Sequence, residues 1–320
     1  MKRLRAFAAF LTVWFAALAC SLPVGGASPT IPLPPPQLTQ TTSAASPAPV
    51  LPTITAAVPT VAPLTADMLK NGTYKLPQLG EMVTLANGKY DSDPSAENII
   101  HAVLLDPIAF GDLNGDGGED AAVLFSENSG GTGDFISVVV VLNQNGAPVQ
   151  SANRMIDDRA MINGMTIANG RIVVDAVIHG PGDPMCCPNF PAKETLQLRN
   201  NLLILTHFTS APSGGPLREI LITAPAAGAT VSGSIQVYGS VTVSPFENTL
   251  NASIFGMGGN KLSSGPIMVT SDGMGGPGTF ASAIDVSAIP AGADLRLEVS
   301  DLSAADGSIL AMDSVECTVQ

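Results

Sequence analysis

Ile108-Ala109-Phe110-Gly111-Asp112-Leu113-Asn114-Gly115-Asp116-Gly117-Gly118-Glu119-Asp120-Ala121-Ala122-Val123-Leu124-Phe125 sets a nine-residue polar loop, Asp112–Asp120, between two apolar runs. Oxygen-bearing side chains stand at loop positions 1, 3, 5 and 9 (Asp112, Asn114, Asp116 and Asp120), with Gly117 at position 6. Apolar segments meeting across so short a turn read as two antiparallel β-strands. The spacing inside the loop points to a hard cation. Ca²⁺ takes about six to eight oxygen ligands, and the four side chains plus the Gly118 carbonyl at position 7 would contribute to such a set. A metal-free hairpin in which Asp and Asn cap their own backbone accounts for the same residues.

An EF-hand loop requires a bidentate Glu at position 12, and that position is Val123. The loop instead resembles the calcium loops of integrin-type β-propeller repeats. A single loop of this kind binds at the extracellular end of the affinity range, about 10⁻⁴ to 10⁻³ M.

Outward from the loop, the chain reads as mainly β. Gly (32) and Pro (26) are abundant and aromatics make up only 5%, a balance of turn-rich β modules rather than helical bundles. Asn71-Gly72, Asn87-Gly88, Asn145-Gly146 and Asn169-Gly170, with Asn200-Asn201, mark hairpins, because these residues tolerate positive φ. Val138–Leu142, apolar on both faces, reads as a central strand. Residues 65–210 form a first module of nine or ten strands. Ser210-Ala211-Pro212-Ser213-Gly214-Gly215-Pro216 marks a boundary, and residues 217–320 form a second module of about seven strands. In it, Leu295, Leu297 and Val299 are expected to face inward with Arg296 and Glu298 outward. Val315, Cys317 and Val319 are likewise expected inward.

Residues 1–20 are a targeting segment. Lys2, Arg3 and Arg5 precede an uncharged run from Ala6 to Ala19, too short to span a bilayer as a helix. The run ends in Ala17-Leu18-Ala19-Cys20, which resembles a bacterial lipoprotein signal, with Ala17 where Leu is commonest. The resemblance implies acylation of Cys20, attachment to the extracytoplasmic face of the cell membrane, and the membrane itself as a partner. Residues 21–64 follow as a Pro/Thr/Ala-rich linker. No charged residue occurs from Ser21 to Ala66 and eleven prolines fall between Pro23 and Pro63, a composition that cannot build a core. Fully polyproline-like, it would reach on the order of 130 Å.

Charge narrows the ligands. Of 14 basic residues three lie in the first five, so the chain after the targeting segment has 11 against 27 acidic residues, a net of −16. That excludes nucleic acid and anionic headgroups as favoured partners.

Two resemblances add to this reading. Ile222-Thr223-Ala224-Pro225 with Gly228, Val237-Tyr238-Gly239-Ser240, Pro245–Leu250, Gly278-Thr279-Phe280 and Ser300–Ser308 stand in the order of the immunoglobulin-like domain associated with bacterial spore germination proteins. The resemblance implies an immunoglobulin-like sandwich and no catalytic residues. The first module resembles LppP/LprE-type lipoprotein domains through the Asp112 loop, Asp157-Asp158-Arg159 and Gly180–Pro188, with Asp157 where that pattern has Gly.

With Cys20 acylated, Cys186, Cys187 and Cys317 remain. A Cys186–Cys187 bridge with Cys317 buried is favoured over a bond from either to Cys317. Gly-x-Ser-x-Gly, His-Glu-x-x-His and phosphate-loop motifs are missing from the sequence. The histidines, His101, His179 and His207, are far apart in the sequence. The expectation is therefore a non-enzymatic module, with Ca²⁺ at the Asp112 loop as its candidate cofactor, that binds an extracellular or envelope protein or glycan. The alternative is an envelope hydrolase or thiol-redox protein using Gly180–Pro188, with His179 beside the thiol.

Overall fold

The computed structural model describes residues 61–320 apart from residue 213. The targeting segment, Cys20 and the linker up to residue 60 lie outside the described residues. In chain order come a helical turn α1 (Ala66–Lys70) and strands β1 (Thr73–Lys75), β2 (Met82–Thr84), β3 (Lys89–Asp91), β4 (His101–Gly111), β5 (Asp120–Asn128) and β6 (Phe135–Gln144). They continue with β7 (Ala147–Asp158), β8 (Met161–Ala168), β9 (Arg171–Ile178), β10 (Phe190–Arg199) and β11 (Leu202–Ser210). The second module holds β12 (Ile220–Ala224), β13 (Ala229–Val231), β14 (Ser234–Val241), β15 (Thr249–Gly256), β16 (Lys261–Ser271), β17 (Gly278–Asp285), β18 (Asp294–Leu302) and β19 (Ile309–Val319). The chain is mainly β. Several strands beyond the expected number are three-residue pieces, too short for alternation to reveal.

The first module is a sandwich with a third layer. One sheet runs β3-β4-β5-β6-β7, and the other contains β8 to β11. Strands β5 and β6 are buried on both faces, which explains their unbroken apolar runs. Ala122, Leu124, Val138 and Val140 face the β8–β11 sheet, where they meet Ile172, Val174, Ala176 and Leu196. Ala121, Val123, Phe125, Val139 and Val141 face the other way, onto Leu69, Tyr74, Leu76 and Val83 of the α1–β1–β2 segment. Tyr74 lies edge-on to Phe125 at 4.9 Å between ring centroids and donates its hydroxyl to the Leu69 carbonyl. Burial pushes the Tyr74 phenol up to about 12. Packed chain begins ahead of Thr65: Leu64 is buried, and the Ala62 carbonyl accepts from Asn143.

Turn chemistry sets the register. Asn87, Asn145, Asn169, Asn200 and Asn201 all have positive φ, as the tight turns they occupy require. Asn71 differs. It closes α1, its backbone and side-chain amides both donating to the Asp67 carbonyl, so it is a helix cap and not a hairpin turn.

In the second module β12-β14-β17 and the end of β16 face β15, β18 and β19. Strand β16 changes sheets: residues 261–268 pair with β15 and residues 269–271 with β17. Between the layers pack Ile235, Val237, Leu250, Ile254, Leu295, Leu297, Val299, Val315 and Cys317.

The modules are joined through one sheet. His207 and Phe208 of β11 pair with Asp313 and Met312 of β19, and Met312 completes the first module's core. Arg199 meets Glu316 through two contacts, 3.0 and 3.2 Å, and the Ser314 hydroxyl donates to the Thr206 carbonyl. The structure corrects the expectation for Arg296. It is 6% exposed, not turned to water. Its guanidinium lies 4.6 Å from the centre of the Phe255 ring and 2.7 Å from Glu298.

Candidate functional site

The Asp112–Asp120 loop connects β4 to β5, so two long strands fix its ends. Inside it, side-chain oxygens fold back on the backbone. Asp112 accepts from the Gly115 and Gly117 amides at 2.7 and 3.0 Å. The Asn114 side chain accepts from the Asp116 amide and donates to the Asp116 carboxylate, both at 2.8 Å. Asp116 accepts from the Gly118 amide at 2.6 Å. Gly115 and Gly117 have φ of 82° and 83°, which a side chain would strain. A Cβ on Gly118 would lie 2.9 Å from the Asp116 carboxylate and displace it.

Asp120 has a different place. It is fully buried, one oxygen accepting from the Leu113 amide at 3.0 Å and the other from the Asn143 amide at 2.9 Å. It therefore pins the loop to the end of β6. Burial raises its pKa, against the lowering effect of the two amides, and Asp116 and Asp112 raise it further. Among the described residues, no group of three or more His, Cys, Asp or Glu side chains is arranged to hold a metal ion. The five positions of the expected cation set stay together, with the side-chain oxygens of Asp112, Asn114, Asp116 and Asp120 engaged by backbone and amide N–H groups.

Glu127 repeats the device near the other end of β5. It is fully buried and accepts from the Gln78 and Leu79 amides, which holds the β1–β2 turn down on the sheet. Burial raises its pKa as well.

The outer side of the Asp112 loop borders an open cleft of about 560 Å³. Asp112, Asn114, Asn169, Gln197 and Arg199 line it, from the loop, the β8–β9 turn and the end of β10. The Asn169-Gly170 signal marked a turn and not a site, and Gln197 and Arg199 carry no motif; strand lengths and register bring the three here.

In the Gly180–Pro188 segment, the sulfurs of Cys186 and Cys187 are bonded to each other. Cys317 is a free thiol in the second core, and burial raises its pKa. His179 Nδ1 lies 2.8 Å from Asp157 Oδ2, while its Nε2 is buried without a partner. Each histidine sits beside a carboxylate of another strand or loop: His101 by Asp91, His179 by Asp157 and His207 by Asp313.

Residues 219–308 match the immunoglobulin-like domain of bacterial spore germination. The match starts beside β12 and ends in the β18–β19 turn, so it falls within the second sandwich. No curated protein matches the chain. The immunoglobulin-like module and the β-sandwich architecture fit a non-catalytic role.

Proposed function

We propose that the chain is a lipid-anchored extracytoplasmic protein whose folded part is a binding or structural module of the cell envelope. The observation that carries this reading is the immunoglobulin-like sandwich fused to a second β sandwich through β11 and β19. Such a body presents rigid strands and loops to a partner. The basic start, the apolar run stopping at Cys20 and the charge-free proline-rich stretch support an acylated anchor with a spacer. The cleft beside the Asp112 loop is lined by carboxylate, amide and guanidinium groups, which suits a hydroxyl-rich glycan or a polar protein loop. Cys20→Ala should move the protein from the membrane fraction to the soluble fraction and abolish labelling by a fatty-acid analogue. Unchanged membrane recovery would contradict the anchor.

Calcium at the Asp112 loop forms part of the proposal. Each carboxylate or amide oxygen has a second lone pair beyond the N–H it accepts from, so Asp112, Asn114, Asp116 and Asp120 with the Gly118 carbonyl would supply the oxygen ligands. Titration calorimetry with millimolar Ca²⁺ should give heat and raise the melting temperature for the wild type and not for Asp116→Ala. Absence of both effects in the wild type would leave the loop as a hydrogen-bonded hairpin.

A further inference from the structure

The Gly180–Pro188 segment carries a covalent bond that does little for the fold. A disulfide stabilises chiefly by closing a loop in the unfolded chain, and more so the longer that loop. Cys186 and Cys187 are neighbours, with Cα atoms 3.8 Å apart, so their bond closes no loop. Hydrogen bonds that involve no sulfur shape the segment instead. Asp183 Oδ2 accepts from the Gly180 and Asn189 amides, both at 2.9 Å. The Cys187 amide donates to the Pro184 carbonyl at 2.9 Å. Arg159, itself paired with Asp158 at 2.6 Å, donates to the Met185 carbonyl and clamps the segment to the body of the first module.

Accessibility completes the case. Pro184, Met185, Cys186 and Cys187 are all exposed, Met185 at 71%. An incoming thiolate therefore has a path to either sulfur. Cys317 is 2% exposed and held protonated by its burial, so it does not compete as an internal partner.

We propose that Cys186–Cys187 is a surface thiol–disulfide exchange site that takes two electrons from a dithiol, small or protein-borne, while the fold stays intact. One thiolate of the dithiol attacks the Sγ of one cysteine. The S–S bond breaks, and the other sulfur leaves with the electron pair and takes a proton. The donor's second thiol then attacks the mixed disulfide, releases the second cysteine as a thiol and leaves as the oxidised donor. Two electrons and two protons have passed to the pair. This inference goes beyond the binding role proposed above and does not depend on it.

The test uses the full chain carrying Cys20→Ala, which leaves Cys186, Cys187 and Cys317 as its cysteines, treated without denaturant with dithiothreitol or with reduced thioredoxin, then alkylated and weighed. Two tags per chain on Cys186 and Cys187, none on Cys317 and an unchanged melting temperature are the expected results. Reoxidation of the reduced chain by an oxidised dithiol before alkylation should leave it untagged. A Cys186→Ser/Cys187→Ser variant should melt with the wild type and take no tag. Three results would each overturn the proposal: tagging only in denaturant, tagging of Cys317 together with the pair, or a large fall in melting temperature on reduction.

Discussion

The two modules solve the same burial problem with different materials. In the second, the core is built from alternating apolar residues, such as Leu295, Leu297 and Val299 of one sheet facing Ile235 and Val237 of the other. In the first, apolar strands are supplemented by buried carboxylates that hold loop amides, whereas the buried Asp301 of the second pairs with Arg218 at 2.7 Å. Asp120 and Glu127 each hold two backbone amides, and Glu194 stands in the β10 row between Ala192 and Leu196, 3.4 Å from Arg154. Carboxylates reach loops that apolar contacts do not, because a carboxylate oxygen fixes an amide at one distance and direction. Both modules are sandwiches, and the first adds carboxylate clasps that fix its loops to its strand ends.

Core truncations should have the largest effects and should show both modules to be equally dependent on packing. Phe125→Ala is expected to cost about 3–5 kcal/mol and Leu297→Ala about 2–5 kcal/mol in urea unfolding. A loss below about 1 kcal/mol at either site would mean that the residue is not in a tight core.

The clasp comes next. Asp120→Ala leaves the Leu113 and Asn143 amides buried without an acceptor, and each such group costs about 1–3 kcal/mol. Asp120→Asn should lose less, since one carbonyl oxygen remains. Equal losses for the two variants would show that the charge matters more than the hydrogen bonds.

Acid–base behaviour should separate the joint from the clasps. Asp313 raises the pKa of His207 through a hydrogen bond, against desolvation, and Glu219 raises it further. A raised histidine contributes stability that is fully present below its ordinary value of about 6.5 and is lost as pH rises through the folded value. Burial raises Asp120, Glu127, Glu194 and Asp301 as well, so their contributions are present below the ordinary carboxylate range and are lost as pH rises. Both sets act in one direction. The melting temperature should fall as pH is raised from about 4 to about 8, and His207→Gln should flatten the part above about 6.5. An unchanged slope in that variant would remove His207 from the joint's pH response.

The smallest effect belongs to the rim of the joint. Glu316→Gln breaks the contacts with Arg199, but both side chains are about a third exposed, so a loss of about 0.5–1 kcal/mol is expected by urea unfolding.

Much of the fold was readable before any coordinates, for reasons that differ by region. Alternation in β18 and β19 and the asparagine turns report local geometry, and local geometry is written in neighbouring residues. The double-sided burial of β5 and β6 was legible because no polar residue interrupts Ala121–Phe125 or Val138–Leu142. Burial of Arg296 was not, because it depends on the Phe255 ring of the neighbouring strand β15. The burial of Asp120 was hidden in a similar way: as the last member of an acidic loop it reads as a ligand, and only the position of Asn143 on β6 makes it a clasp. Asn169, Gln197 and Arg199 belong to the cleft through register alone.

Calorimetry of the intact chain tests the central claim, that the two sandwiches form one body through the β11–β19 pairing and Met312. A single unfolding transition, shifted downward as a whole by Phe125→Ala and equally by Leu297→Ala, is the predicted result. Two separate transitions, each moved by only one of the substitutions, would contradict it.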